Sequence, residues 1–180
     1  TNITVKNVTF LNNLKSHFLE LAGVKDAVVT GCTFRGYWKD YEGGGQECIQ
    51  IDCCTDESNV FPQYRPYDGT TCEDFVIDGN VFEDVFTGLG THSMMSGKTY
   101  KRITVTNNTF HNVKKRCIRF MNYEDSTAEN NTMVNVGNGV DISSVSSNTH
   151  QTPGYDDGPD MLKNRNLRVA GNYISLARTT

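Results

Sequence analysis

The sequence predicts an all-β solenoid of about six stacked coils, interrupted by long loops. Three observations predict it. A short apolar strand pattern recurs along the 180-residue chain with a basic step in the twenties. One corner of that pattern is asparagine in four successive copies. The composition, with 37% hydrophobic residues and a mean hydropathy of −0.49, is thin for a two-layer core. It suits a solenoid, whose coils each bury only a narrow stripe.

The stretch 100–123, YKRITVTNNTFHNVKKRCIRFMNY, reads as one complete coil. Ile103 and Val105 alternate with polar neighbours, as in a strand buried on one face. Asn107 and Asn108 turn the corner, Phe110 and Val113 point back inside, and Ile118 and Phe120 form a second strand with Arg119 facing out.

Six segments superimpose on the first half of this coil: 3–10 (ITVKNVTF), 27–34 (AVVTGCTF), 75–82 (FVIDGNVF), 103–110 (ITVTNNTF), 126–133 (STAENNTM) and 167–174 (LRVAGNYI). The steps between their last residues are 24, 48, 28, 23 and 41, so the two long steps hold one coil plus an insertion. The corner column reads Val8, Cys32, Asn80, Asn108, Asn131, Asn172. Stacked amides donate to one coil and accept from the next, which satisfies a buried polar row. The next column, Phe10, Phe34, Phe82, Phe110, Met133, Ile174, is a stacked apolar row.

A second strand follows each corner in segments 17–23, 47–53, 87–93, 116–122 and 138–144. Strand side chains alternate, so two outward columns result. One is Glu20, Gln50, Gly90, Arg119, Asp141, and the other Ala22, Asp52, His92, Met121, Ser143.

This pattern resembles the right-handed parallel β-helix superfamily of the pectate lyases and polygalacturonases, and more loosely the β-helix modules of secreted or surface-anchored bacterial proteins acting on glycans. The likeness covers nearly the whole chain. It implies a right-handed parallel β-helix, an extracellular or cell-surface location, and a glycan bound in a groove on the parallel sheet.

Insertions at 35–46, 53–74 and 144–166 are rich in Gly, Pro, Asp and Tyr and read as loops. Two of them flank the Gln50/Asp52 strand, as groove walls would. Trp38, Tyr37 and Tyr64 ride on those walls, where aromatic faces suit the C–H faces of sugar rings.

The candidate site follows from these placements. Asp52 and His92 fall in one column on adjacent coils, positioned as an acid/base pair. Gly90 leaves a side-chain gap beside them. Arg119 is placed to bind a carboxylate or hydroxyl cluster, and Glu20 and Gln50 continue the row. Hydrolysis asks for a second carboxyl group, for which Asp68, Asp56 and Glu20 are candidates. The lead expectation is a glycoside hydrolase with Asp52, His92 and Asp68 catalytic and Glu20, Gln50, Arg119, Trp38, Tyr37 and Tyr64 binding substrate. The adjacent aspartates of polygalacturonases and the calcium aspartates of pectate lyases have no counterpart in the columns. A polysaccharide lyase, a non-catalytic glycan-binding or adhesive module, and a bare structural spacer therefore stay open.

No cofactor or metal is expected; calcium, possible for a lyase, lacks an acidic cluster in the outward columns. With a net charge of −4 and no basic block, nucleic acid is not an expected partner. The apolar runs are too short for membrane insertion. None of the six cysteines makes a zinc spacing. Cys32, Cys48 and Cys117 read as buried fillers, whereas Cys53 or Cys54 could bridge to Cys72 or all three could be free thiols. Open solenoid ends expose backbone edges. The chain, a single β-helix domain over 1–180, is thus expected to be a fragment or module, with further coils or a partner subunit covering its ends.

Overall fold

The computed structural model describes residues 2–13, 16–37, 46–54, 69–91, 93, 98–144 and 164–177. Among them every regular element is a strand and every strand pair is parallel. The predicted solenoid is present, and it has three faces.

Face A stacks β1 (Ile3–Lys6), β4 (Lys25–Thr30), β7 (Glu73–Asp78), β9 (Tyr100–Thr106), β12 (Thr127–Glu129) and β15 (Arg168–Ala170), in that order. The register is the one the repeat alignment requires: Ile3 lies opposite Ala27, Ala27 opposite Phe75, and Phe75 opposite Ile103.

Face B was not anticipated as a strand layer. The residues after each asparagine corner, expected only to point inward, form β2 (Thr9–Asn13), β5 (Thr33–Tyr37), the start of β8 (Val81–Gly90), the start of β10 (Thr109–Met121), β13 (Thr132–Val136) and β16 (Tyr173–Leu176). β5 therefore carries the coil three residues, 35–37, into the expected 35–46 loop. Face C is the predicted second strand. It runs from β3 (Leu19–Ala22) through β6 (Glu47–Asp52) and the ends of β8 and β10 to β14 (Val140–Ser143). β8 and β10 bend from face B into face C without a break. In β10 the register shifts between Val113 and Arg116, a bulge that turns the strand.

The core lies between the faces. Phe10, Phe34, Phe82 and Phe110 stack at ring separations of 4.9, 4.9 and 4.6 Å. The corner column is a continuous amide ladder. Oδ1 of Asn80 accepts from the Cys32 N–H at 2.9 Å, Oδ1 of Asn108 from the Asn80 N–H at 2.9 Å, and Oδ1 of Asn131 from the Asn108 N–H at 3.0 Å. Each Nδ2 donates to the next amide and to a strand carbonyl, as Asn108 does to Asn131 Oδ1 and Ile77 O. The residue before each ladder position (Asn7, Gly31, Gly79, Asn107, Asn130 and Gly171) has φ between 55 and 65°. Only asparagine and glycine, which take the left-handed region at little cost, appear there.

All six cysteines are free thiols, which resolves the alternative left open for Cys53, Cys54 and Cys72. No helix among the described residues is long and apolar enough to cross a membrane.

Candidate functional site

Face C brings its outward columns together in the expected register. Glu20 lies opposite Gln50, Gln50 opposite Gly90, Gly90 opposite Arg119, and Arg119 opposite Asp141. In the second column Ala22 lies opposite Asp52 and Met121 opposite Ser143. His92 lies outside the described residues, as do Asp56, Trp38, Tyr64 and Asp68. Tyr37 ends β5 opposite Asn13, and its side chain lies outside the described residues too.

The row is not the solvated face that alternation suggests. Gln50 and Asp52 are each 1% exposed, and all six residues of β6 are buried. Asp52 is held by its own chain: Nε2 of Gln50 and Oγ of Ser93 (3.0 Å) donate to Oδ2, and the Cys53 N–H donates to Oδ1 at 2.8 Å. This satisfies a buried carboxylate, which would otherwise be costly.

Gly90 does not open a gap. A Cβ built on it would lie 2.7 Å from Arg119 Cβ and 2.9 Å from Arg119 O, so glycine here admits the neighbouring coil rather than a ligand ring. Over this contact the Arg119 guanidinium lies half-buried. Burial, with Arg116 beside it, lowers its pKa, and Asp141 opposes that shift. Arg116 makes the direct ion pair with Asp141, whereas Arg119 Nε stands 3.8 Å from the same oxygen and makes no hydrogen bond. Gln50 Oε1 and Thr87 Oγ1 are likewise buried without a hydrogen-bond partner. An acceptor, a hydroxyl and a guanidinium N–H are thus unsatisfied on three adjacent strands; Gln50 and Thr87 are each 1% exposed, so of the three residues it is Arg119, with its side chain 24% exposed, that meets solvent.

Sequence reasoning missed two members of this neighbourhood. Glu47 and Thr87 stand opposite each other, and Thr87 stands opposite Arg116. Glu47 is 5% exposed, and its backbone oxygen meets His17 Nδ1 at 2.8 Å. Each lies three residues before its outward-column partner, Gln50 or Gly90, a spacing visible in the aligned second strands. Among the described residues no group of three or more His, Cys, Asp and Glu side chains is arranged to hold a metal ion.

Comparison with known proteins adds the following. The family profile for the right handed beta helix region matches residues 67–177. The chain is 27% identical over 191 aligned residues to plasmin and fibronectin-binding protein A of Streptococcus pneumoniae, covering 98% of this chain and 26% of that protein. Two solved structures of PfbA, a surface adhesin of Streptococcus pneumoniae, superimpose with a TM-score of 0.65 at 22% and 20% identity. They cover 97% and 96% of this chain but 45% and 49% of theirs. The chain thus spans about a quarter of the length of the curated relative it matches.

Proposed function

The chain belongs to the right-handed β-helix family, and on that premise we propose that it is a non-catalytic adhesive module displayed at a cell surface, holding its ligand on face C. The observation that carries this reading is the state of Asp52. Glycoside hydrolysis uses two carboxyl groups roughly 5–10 Å apart, both able to reach the scissile bond. Asp52 is buried, and both its oxygens accept hydrogen bonds from its own chain. That is the condition of a structural carboxylate. On the same row the part-exposed Arg119 guanidinium is placed to meet a ligand from outside, and it binds without performing chemistry.

The likeness to a plasmin- and fibronectin-binding surface protein over 98% of the chain supports adhesion and surface display. An extracellular protein, or a glycan carried on one, is the ligand class that follows. As a module the fold is continued or covered at its last described coil, where Val169, Ile174 and Leu176 are 42, 44 and 58% exposed.

The test is to present the purified chain to immobilised fibronectin, plasmin and a glycan array, while assaying glycans for new reducing ends and for the ultraviolet absorbance of unsaturated uronates. Saturable binding without product is expected, weakened by Arg119→Gln. Turnover of any glycan overturns the reading, and so does an absence of binding to every surface.

A further inference from the structure

A separate groove lies at the corner where face B turns into face C. It holds about 680 Å³ and is lined by Gly36, Asp84, Phe86, Asn112, Lys114 and Asn135 among others. That is the volume of a ligand site rather than a surface dimple. We infer that this groove binds an anionic polysaccharide, one bearing carboxylate or sulfate groups, independently of face C.

The walls repeat along the solenoid axis. Gly36, Asp84, Asn112 and Asn135 occupy one column on four successive coils, all with left-handed φ of 79, 52, 54 and 56°. Coils stack at about 4.8 Å, close to the rise of one ring in an extended polysaccharide. The column is a second amide ladder, this one on the outside: Asn135 Nδ2 donates to Asn112 Oδ1 at 2.6 Å, and Asn112 Nδ2 to Asp84 Oδ1 at 2.8 Å. Exposed amides with both donor and acceptor atoms match sugar hydroxyls.

The floor supplies the charge. The β10 bulge puts one more residue between Val113 and Arg116 than β8 has between Val85 and Thr87. Lys114 and Lys115 therefore both face Phe86, with their ammoniums 5.4 and 5.8 Å from its ring centre. Among the described residues neither ammonium is paired with a carboxylate. In a chain of net charge −4, two adjacent unneutralised cations over an aromatic face form a local anion site. Asp84 sits on the opposite wall, where Asn112 holds it.

The strands around the groove are paired with their neighbours on both sides, so a peptide finds no free edge to extend. A saccharide needs none. It would set its hydroxyls on the amides and its acidic group between the lysines that Phe86 holds together.

The test titrates the full chain with a sulfated heparin hexasaccharide, an unsulfated hyaluronan hexasaccharide and neutral cellohexaose, with polyglutamate as a charge control. One or both anionic sugars should bind at least about tenfold more tightly than cellohexaose, and the arm that binds says whether sulfate or carboxylate is read. Lys114→Gln with Lys115→Gln should lose about tenfold or more, as expected for two charge-assisted contacts. Phe86→Leu, which keeps both charges, should lose about threefold or more. Asn135→Asp, which adds a carboxylate to the wall, should weaken binding without touching a lysine. Equal binding of polyglutamate with no effect of Phe86→Leu would overturn the inference, as would anionic-sugar affinity unchanged in the lysine variant. Binding to fibronectin or plasmin through face C should be the same in all these variants, so the two sites fail separately.

Discussion

Asn108 donates from Nδ2 to Asn131 Oδ1 at 3.0 Å and accepts at its own Oδ1 from the Asn80 N–H and Nδ2 at 2.9 and 3.0 Å. One side chain thus ties three coils. Asn108→Ala would leave the Asn80 N–H without its acceptor and take one hydrogen bond each from the Asn80 amide, the Ile77 carbonyl and the Asn131 amide, all buried. Each such group costs on the order of 1–3 kcal/mol. Urea unfolding should show Asn108→Ala destabilised by about 3 kcal/mol or more. Asn172→Ala, at the exposed end of the ladder, should cost less.

Gly137 meets the β10 bulge from the next coil. A Cβ on it would lie 2.3 Å from Lys114 O and 2.8 Å from Lys115 O, while its own N–H donates to Val113 O at 2.9 Å. The obstacle is backbone, so Gly137→Ala must shift the bulge, at about 1–3 kcal/mol. A thermal melt checks the loss. The same variant should weaken anionic-sugar binding, because the bulge aims both lysines.

The left-handed turns recur with a fixed spacing. Asn7, Gly31, Gly79, Asn107 and Asn130 mark the first corner; five residues later come Asn12, Gly36, Asp84, Asn112 and Asn135, and five residues before the last four come Asp26, Asp74, Arg102 and Asp125. The first of these columns was legible because its asparagine ladder is also buried and uniform. The other two mix Asn, Asp, Gly and Arg on the surface, so composition alone did not reveal them, although the five-residue offset was present. The same offset would have marked face B as a strand between two turns. Register on face C followed from alternation. Burial there did not, because alternation says which way a side chain points and nothing about what packs over it. Gly90 was misread for the related reason that an absent side chain looks like space until the neighbouring coil is placed.

Arg102 is the exception among these turns, a long side chain at φ 54°. Its Nε and Nη2 donate to Asp74 at 2.5 and 3.0 Å, and Nη2 also donates to Glu73 at 2.8 Å. The Arg102 hydrogen bond holds the Asp74 carboxyl below its ordinary value, and Arg165 does the same for Glu124. A depressed carboxyl stabilises the fold above its unfolded value, near pH 4, and that contribution is lost as pH falls through the lower folded value. Arg102→Asn should therefore reduce the acid sensitivity of the melting temperature below about pH 4. At pH 7 stability should change by no more than about 1 kcal/mol, as for exposed pairs.

The thiols are shielded. Burial pushes Cys53 and Cys72 up to about 12 and raises Cys48 and Cys117 as well. The thiolate is the reactive form. Iodoacetamide at pH 8 should therefore label native protein chiefly at Cys54, the half-buried thiol, and label all six cysteines after denaturation without a reductant.

The adhesive reading is tested most directly by Asp52→Asn, followed by thermal melting and by binding to fibronectin, plasmin and glycans. An amide at this position sets its N–H against Gln50 Nε2 on one side or the Cys53 N–H on the other, both buried donors. The account predicts a loss of about 2 kcal/mol or more with ligand affinity retained by the folded fraction. An unchanged melting temperature together with abolished turnover of a glycan would contradict it.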